Sequence, residues 1–72
     1  MSQRFPVRNA AEVVRVLRRH GFVPVGQRGS HQKWRHANGR QVIVAQHGRK
    51  LIPIGTLKSI IEGSGLAVDD FR

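Results

Sequence analysis

The stretch SHQKWRHANGRQVIVAQ, residues 30–46, decides the fold of this 72-residue chain. Its centre, Ala37-Asn38-Gly39, separates two runs of strand-like residues. Asn-Gly between two such runs is the strongest short-range signal of a β-hairpin. We therefore predict two antiparallel strands, Ser30–His36 and Arg40–Gln46, that lie side by side.

The first strand of this hairpin predicts one polar face and one buried residue, because successive side chains of a strand point to opposite faces. His31, Lys33 and Arg35 fall on one face, and Trp34 falls on the other, where we expect it in the core rather than stacked on a base. The second strand contains Val42-Ile43-Val44-Ala45, whose apolar and β-branched character is typical of a central strand.

An amphipathic helix and an edge strand are predicted before the hairpin. Asn9 and Glu12 fit a capping box, so the helix is expected to begin at Ala10. Its apolar stripe has helical spacing: Ala10, Val13, Val14, Val16 and Leu17. Gly21 fits a left-handed cap that ends the helix. Phe22-Val23-Pro24-Val25 is predicted to be an edge strand, because Pro24 has no N–H to donate.

A second helix is predicted after the hairpin, with Thr56 as its cap and Gly63 and Gly65 as the residues that break it. Leu66–Phe71 is expected to form a last short helical turn. The predicted order is α-β-β-β-α. We therefore expect a single small α+β domain over residues 1–72, a three-stranded antiparallel sheet with both helices on one face.

The charge of the chain favours a polyanionic partner. Thirteen Lys and Arg residues against four Asp and Glu residues give a formal net charge of +9. Such an excess favours binding to nucleic acid through counterion release, and it would also attract an acidic protein. No apolar run is long enough for a membrane span and cysteine is absent, so we expect a cytoplasmic protein without a membrane partner.

His31 is the candidate for proton transfer, because histidine is the side chain whose ordinary pKa lets it exchange a proton near neutral pH. Its basic surroundings suit an RNA substrate. Gly29 permits close approach of the backbone to a phosphate, and Ser30 has a hydroxyl that can donate. We expect no metal and no other cofactor, because cysteine is absent and the acidic residues are remote in sequence from the histidines.

Several landmarks follow one another along the chain: Gly21-Phe22, Gly29-Ser30-His31 with Trp34, His47, Lys50, Gly55-Thr56-Leu57, Ile60-Ile61 and Gly65-Leu66. In this order, from about the first helix to residue 66, the chain resembles the HicA toxins. The resemblance implies a fold like the double-stranded RNA-binding domain, metal-independent endonucleolytic cleavage of mRNA, and inhibition by a cognate HicB antitoxin. It also implies that His31, the histidine of Gly-Ser-His, is catalytic.

The candidate RNA-binding residues are polar or basic and lie in or near the hairpin: Arg28, Ser30, Lys33, Arg35, His47, Arg49 and Lys50. For His47 three roles stay open, namely a second proton-transfer group, a phosphate contact and a hydrogen-bonded loop residue. Two alternatives to the toxin ribonuclease also stay open. One is a non-catalytic RNA-binding module of the same fold, and the other is a small basic structural protein of a ribonucleoprotein.

Overall fold

The computed structural model describes residues 4–72, and its elements follow the predicted order α-β-β-β-α. Helices α1 and α2 span Ala10–Arg19 and Ile54–Ser64. The three strands β1, β2 and β3 span Val23–Arg28, His31–Arg35 and Gln41–Ala45, and a 3-10 helix spans Val68–Phe71. The prediction of one domain over residues 1–72 includes residues 1–3, which lie outside the described part. None of the helices within residues 4–72 is long and apolar enough to cross a membrane.

Helix α1 begins and ends where local signals predict. The Asn9 side chain accepts from the Glu12 N–H at 2.9 Å, and the Glu12 carboxylate accepts from the Asn9 N–H at 3.0 Å, which completes the capping box. At the other end Gly21 has a φ of +89°, and the Phe22 N–H donates to the Leu17 carbonyl at 2.9 Å. The left-handed glycine therefore turns the chain from the helix into the sheet.

The sheet is antiparallel throughout, in the order β1-β2-β3. β1 is an edge strand, as predicted from Pro24, but it runs on to Arg28. The central-strand prediction for Val42-Ile43-Val44-Ala45 is wrong, because β2 lies in the middle and β3 pairs only with β2 in the described sheet. Ile43 is 53% exposed, so its apolar character marks an uncovered sheet face and not a central position.

The core lies on one face of the sheet, where both helices pack. Trp34 is paired with Val42 and is completely buried, as the alternation in β2 predicts. The 3-10 helix adds Phe71, also completely buried. The buried apolar side chains form one cluster: Ala10, Val13, Val16, Leu17, Phe22, Trp34, Val42, Val44, Leu57, Ile60, Ile61 and Phe71. The opposite face, which carries His31, is left open to solvent.

Two predictions for helix α2 are wrong. Thr56 is not its cap: the helix begins at Ile54 after Pro53, and the Leu57 N–H donates to the Pro53 carbonyl at 2.9 Å. Gly63 does not break the helix, which continues to Ser64 and ends at Gly65 with a φ of +72°. A Cβ on Gly63 would lie 3.2 Å from Val42 Cγ1, so glycine at this position permits close packing of α2 on β3.

Candidate active site

The open face of the sheet brings His31 together with cationic side chains from two strands. In the strand register Arg28 and Ala45 lie on either side of His31, and Gly26 and Ile43 lie on either side of Lys33. Directly paired residues share a face of the sheet. Arg28, His31 and Lys33 are therefore neighbours on the open face, and the missing side chain at Gly26 leaves space beside Lys33.

His31 lies between two surface depressions. The first, which we call the sheet depression, has a volume of about 400 Å³. Its lining residues come from all three strands: Gly26, Gln27, Arg28, His31, Lys33 and Ile43. Two cations and one imidazole thus face a single concave surface, which suits a phosphate-bearing chain.

The second depression, which we call the helix depression, lies between the end of the hairpin and the start of α2 and has a volume of about 360 Å³. Its lining residues combine a polar rim with apolar side chains: His31, Ala45, His47, Lys50, Leu51, Ile52, Pro53, Thr56 and Ile60. Because His31 lines both depressions, its imidazole can contact a bound phosphate-bearing chain that passes from one depression to the other.

Three of the predicted RNA-binding residues are not part of either depression. The Arg35 guanidinium donates to the Gln41 side chain at 2.9 and 3.2 Å, further along the open face. Ser30 lies in the tight turn between β1 and β2, where its carbonyl accepts from the Gln46 N–H at 2.7 Å. Arg49 is exposed in the turn that follows His47. Arg28, Lys33, His47 and Lys50 are brought to His31, whereas Arg35, Ser30 and Arg49 lie around it.

The sequence predictions missed Thr56 and Gly26 as residues of the site. Thr56 has an exposed side chain in the first turn of α2 and lines the helix depression. Its position just before the apolar residues of α2 predicts a helix cap, and nothing in the sequence indicates that its side chain also lies near His31. Gly26 has its place because the register shifts between Pro24 and Gly26, and no sequence pattern predicted that bulge.

The other two histidines are engaged elsewhere. The His36 ring lies edge-on to Phe22, with 5.1 Å between ring centroids, and its Nδ1 accepts from the Asn38 N–H at 3.0 Å. His20 Nε2 lies 3.8 Å from Asp70 Oδ1 beside the 3-10 helix. Within residues 4–72, no group of three His, Cys, Asp or Glu side chains is placed to hold a metal ion.

A comparison with protein families identifies the chain. The family model described as the HicA toxin of bacterial toxin-antitoxin systems matches residues 10–66, which include both helices and all three strands. The protein belongs to the HicA toxin family. It is therefore a toxin, and the family implies an antitoxin partner. A search of curated proteins gave no match.

Proposed function

We propose that this toxin is a metal-independent endoribonuclease that cleaves mRNA and so blocks translation, with His31 as a catalytic residue. The observation that carries the proposal is the position of His31 between the sheet depression and the helix depression, with Arg28 and Lys33 beside it on the open face. The choice of mRNA as substrate rests on the resemblance to HicA toxins, and with this substrate the toxin acts in the cytoplasm.

The proposed chemistry uses the RNA strand's own nucleophile. A base removes the proton of a 2′-hydroxyl, the 2′-oxygen forms a bond to the adjacent phosphorus, and the bond from phosphorus to the 5′-oxygen breaks. A proton is delivered to that 5′-oxygen, which leaves a 2′,3′-cyclic phosphate and a 5′-hydroxyl end. Histidine suits either proton transfer near neutral pH. No metal is needed to generate the nucleophile.

The cations supply the electrostatic part of the proposed mechanism. Negative charge builds up on the phosphoryl oxygens as the 2′-oxygen attacks, and fixed positive groups nearby stabilise it. Arg28, paired with His31 across the β1–β2 hairpin, and Lys33, two residues along the same strand face, are in place to do this. Lys50 is in place on the helix depression side. A single-stranded segment suits this site best, because its bases and backbone can splay for attack.

The antitoxin is proposed to be of the HicB type. An acidic surface, or one that mimics the RNA backbone, would complement a chain of net charge +9 and would cover His31 together with its cationic neighbours. The product of a gene adjacent to the toxin gene is the first candidate. It should co-purify with the toxin and abolish cleavage at equimolar concentration.

The proposal is tested by incubating purified wild-type, His31→Ala and His20→Ala proteins with a defined mRNA in EDTA and analysing the fragment ends. His20→Ala is the matched control, because His20 lines neither depression. We expect cleavage with 5′-hydroxyl and cyclic-phosphate ends by wild type and the control, and none by His31→Ala.

Binding is measured in parallel with a 2′-O-methyl version of the RNA, which has no free nucleophile. Retained binding by His31→Ala makes its loss of cleavage a chemical defect. Equal cleavage by His31→Ala and wild type would remove His31 from the mechanism. If all three proteins bind the RNA and none of them cleaves it, the non-catalytic RNA-binding module is favoured instead.

A further inference from the structure

We infer that His47 is the second catalytic residue of this site and carries out the proton transfer that His31 does not. The inference rests on the proposed ribonuclease function and adds to it the missing partner of the acid-base pair. In-line cleavage of RNA needs a proton removed from the 2′-oxygen and a proton delivered to the 5′-oxygen on opposite sides of phosphorus. One imidazole does not reach both oxygens in the same step.

The hairpin brings His31 and His47 to the same face of the sheet. His31 is paired with Ala45, and the Gln46 N–H donates to the Ser30 carbonyl at 2.7 Å, so the pairing continues one residue past β3. Side chains alternate along an extended chain, so His47 follows Ala45 on the face that carries His31. The position opposite His47 in this register is Gly29, which has no side chain to separate the two imidazoles.

The helix depression provides a shared space for one phosphodiester. Both imidazoles line this space of about 360 Å³, which is within the range of small-ligand sites. Lys50 lines the same depression and supplies a cation for the non-bridging oxygens. Ile52 and Ile60 add apolar walls, which strengthen charge interactions by excluding water. The arrangement is thus two proton-transfer groups and one cation around a single concave surface.

No other histidine or carboxylate of the described chain, residues 4–72, lines either depression. His20 and His36 contact Asp70 and Phe22 respectively. The four acidic side chains also lie elsewhere: Glu12, Glu62, Asp69 and Asp70. Among the histidines and carboxylates of residues 4–72, His47 is therefore the one that can complete the reaction with His31, and as an imidazole it exchanges a proton near neutral pH more readily than the lysines of the site.

The proton balance of the pair is complete. One imidazole is neutral and takes the 2′-hydroxyl proton while the P–O2′ bond forms. The other is protonated and gives its proton to the 5′-oxygen while the P–O5′ bond breaks. After the step the two protonation states are exchanged, and proton exchange with solvent restores them.

The test uses a short RNA with one scissile linkage and a matched RNA in which sulfur replaces the bridging 5′-oxygen. A thiolate leaves without needing a proton, so the sulfur substrate rescues a variant that has lost the general acid and does not rescue one that has lost the base. The proteins are wild type, His31→Gln, His47→Gln and the control His20→Gln. Folding is checked by circular dichroism, and binding by the 2′-O-methyl RNA.

We expect His47→Gln to cleave the oxygen substrate roughly 10²- to 10⁴-fold more slowly than wild type, the usual contribution of one proton-transfer group. One of the variants His31→Gln and His47→Gln, and only one, should return to near wild-type rate on the sulfur substrate. His20→Gln should match wild type on both substrates.

Two results would overturn the inference. His47→Gln could cleave the oxygen substrate as fast as His20→Gln, or both site variants could be slow with neither rescued by sulfur, which would make His47 a phosphate contact. A wild-type protein that cleaves neither substrate would instead refute the ribonuclease function itself.

Discussion

The guanidinium of Arg18 lies over the indole ring of Trp34, with Cζ 4.9 Å from the ring centroid. Arg18 is on the exposed side of α1, and Trp34 is completely buried in the middle strand of the sheet. The indole N–H also donates to the Gln32 side chain at 3.2 Å, and that side chain accepts from the Gln46 amide at 3.1 Å. One buried aromatic ring thereby connects the first helix, through Gln32 of β2, to the residue that follows β3.

Arg18→Ala should lower the free energy of unfolding by about 0.5–1 kcal/mol, the usual contribution of a cation-π pair whose cation is exposed. Arg15→Ala is the matched control, since Arg15 is exposed on the same helix and makes no aromatic contact in the described structure. Urea denaturation followed by tryptophan fluorescence measures both variants. Equal effects of the two substitutions would show that the contact between Arg18 and Trp34 makes no specific contribution to stability.

Asn9→Ala should destabilise the protein by about 1 kcal/mol, because it removes the side chain that accepts from the Glu12 N–H at the start of α1. Asn9→Ser should restore most of the loss, because a hydroxyl oxygen can accept the same hydrogen bond. The urea midpoints of the three proteins provide the comparison. An alanine variant as stable as wild type would mean that the capping box contributes nothing.

Gly65→Ala and Gly55→Ala should change stability in opposite directions. Gly65 has a φ of +72°, and a Cβ there would meet the Arg40 side chain, so alanine should cost about 1 kcal/mol or more. Gly55 is helical, and a Cβ there would meet nothing within 4 Å, so alanine should add about 0.4–1 kcal/mol. Thermal melts of the two variants beside wild type measure the difference. Destabilisation by both would show that α2 tolerates no change at either end.

Lys33→Gln should reduce the salt dependence of RNA binding. Each phosphate contact made with a single strand contributes about 0.7 to the slope of log affinity against log salt concentration. Lys33 lines the sheet depression, whereas Arg19 is exposed on α1 and lines neither depression at His31. Titrations of the 2′-O-methyl RNA at several salt concentrations should therefore show a smaller slope for Lys33→Gln and an unchanged slope for Arg19→Gln. A smaller slope for Arg19→Gln together with an unchanged slope for Lys33→Gln would instead indicate that the RNA binds along α1.

The parts of the fold that depend on neighbouring residues could be predicted from the sequence. The capping box at Asn9, the left-handed Gly21 and the Asn38-Gly39 turn each involve interactions within a few residues, and the structure confirms all three. The inward position of Trp34 follows from strand alternation alone. The edge position of β3 could not be predicted in this way, because it depends on which strands pair across the whole chain.

Long-range packing also explains what the sequence did not reveal about the site. The helix depression forms because the chain returns beside His31 at the start of α2, which brings Lys50 and Thr56 to a residue 19 and 25 positions earlier in the chain. Gly63 stays helical because its missing Cβ lets α2 pack on Val42, and helix propensity does not include that contact. Residue type and strand alternation predicted His31 and Lys33 for the site, whereas Gly26 and Thr56 were added only by the tertiary contacts.

The register shift in β1, between Pro24 and Gly26, lowers the tendency of the protein to aggregate at high concentration. An edge strand with a continuous row of free N–H and C=O groups is a template for strand exchange and fibril growth. Pro24 removes one donor from this edge, and the register shift between Pro24 and Gly26 twists the strand away from a flat ladder. The repulsion between chains of net charge +9 acts in the same direction. The open sheet face can thus remain exposed without the β1 edge pairing with strands of further copies of the protein.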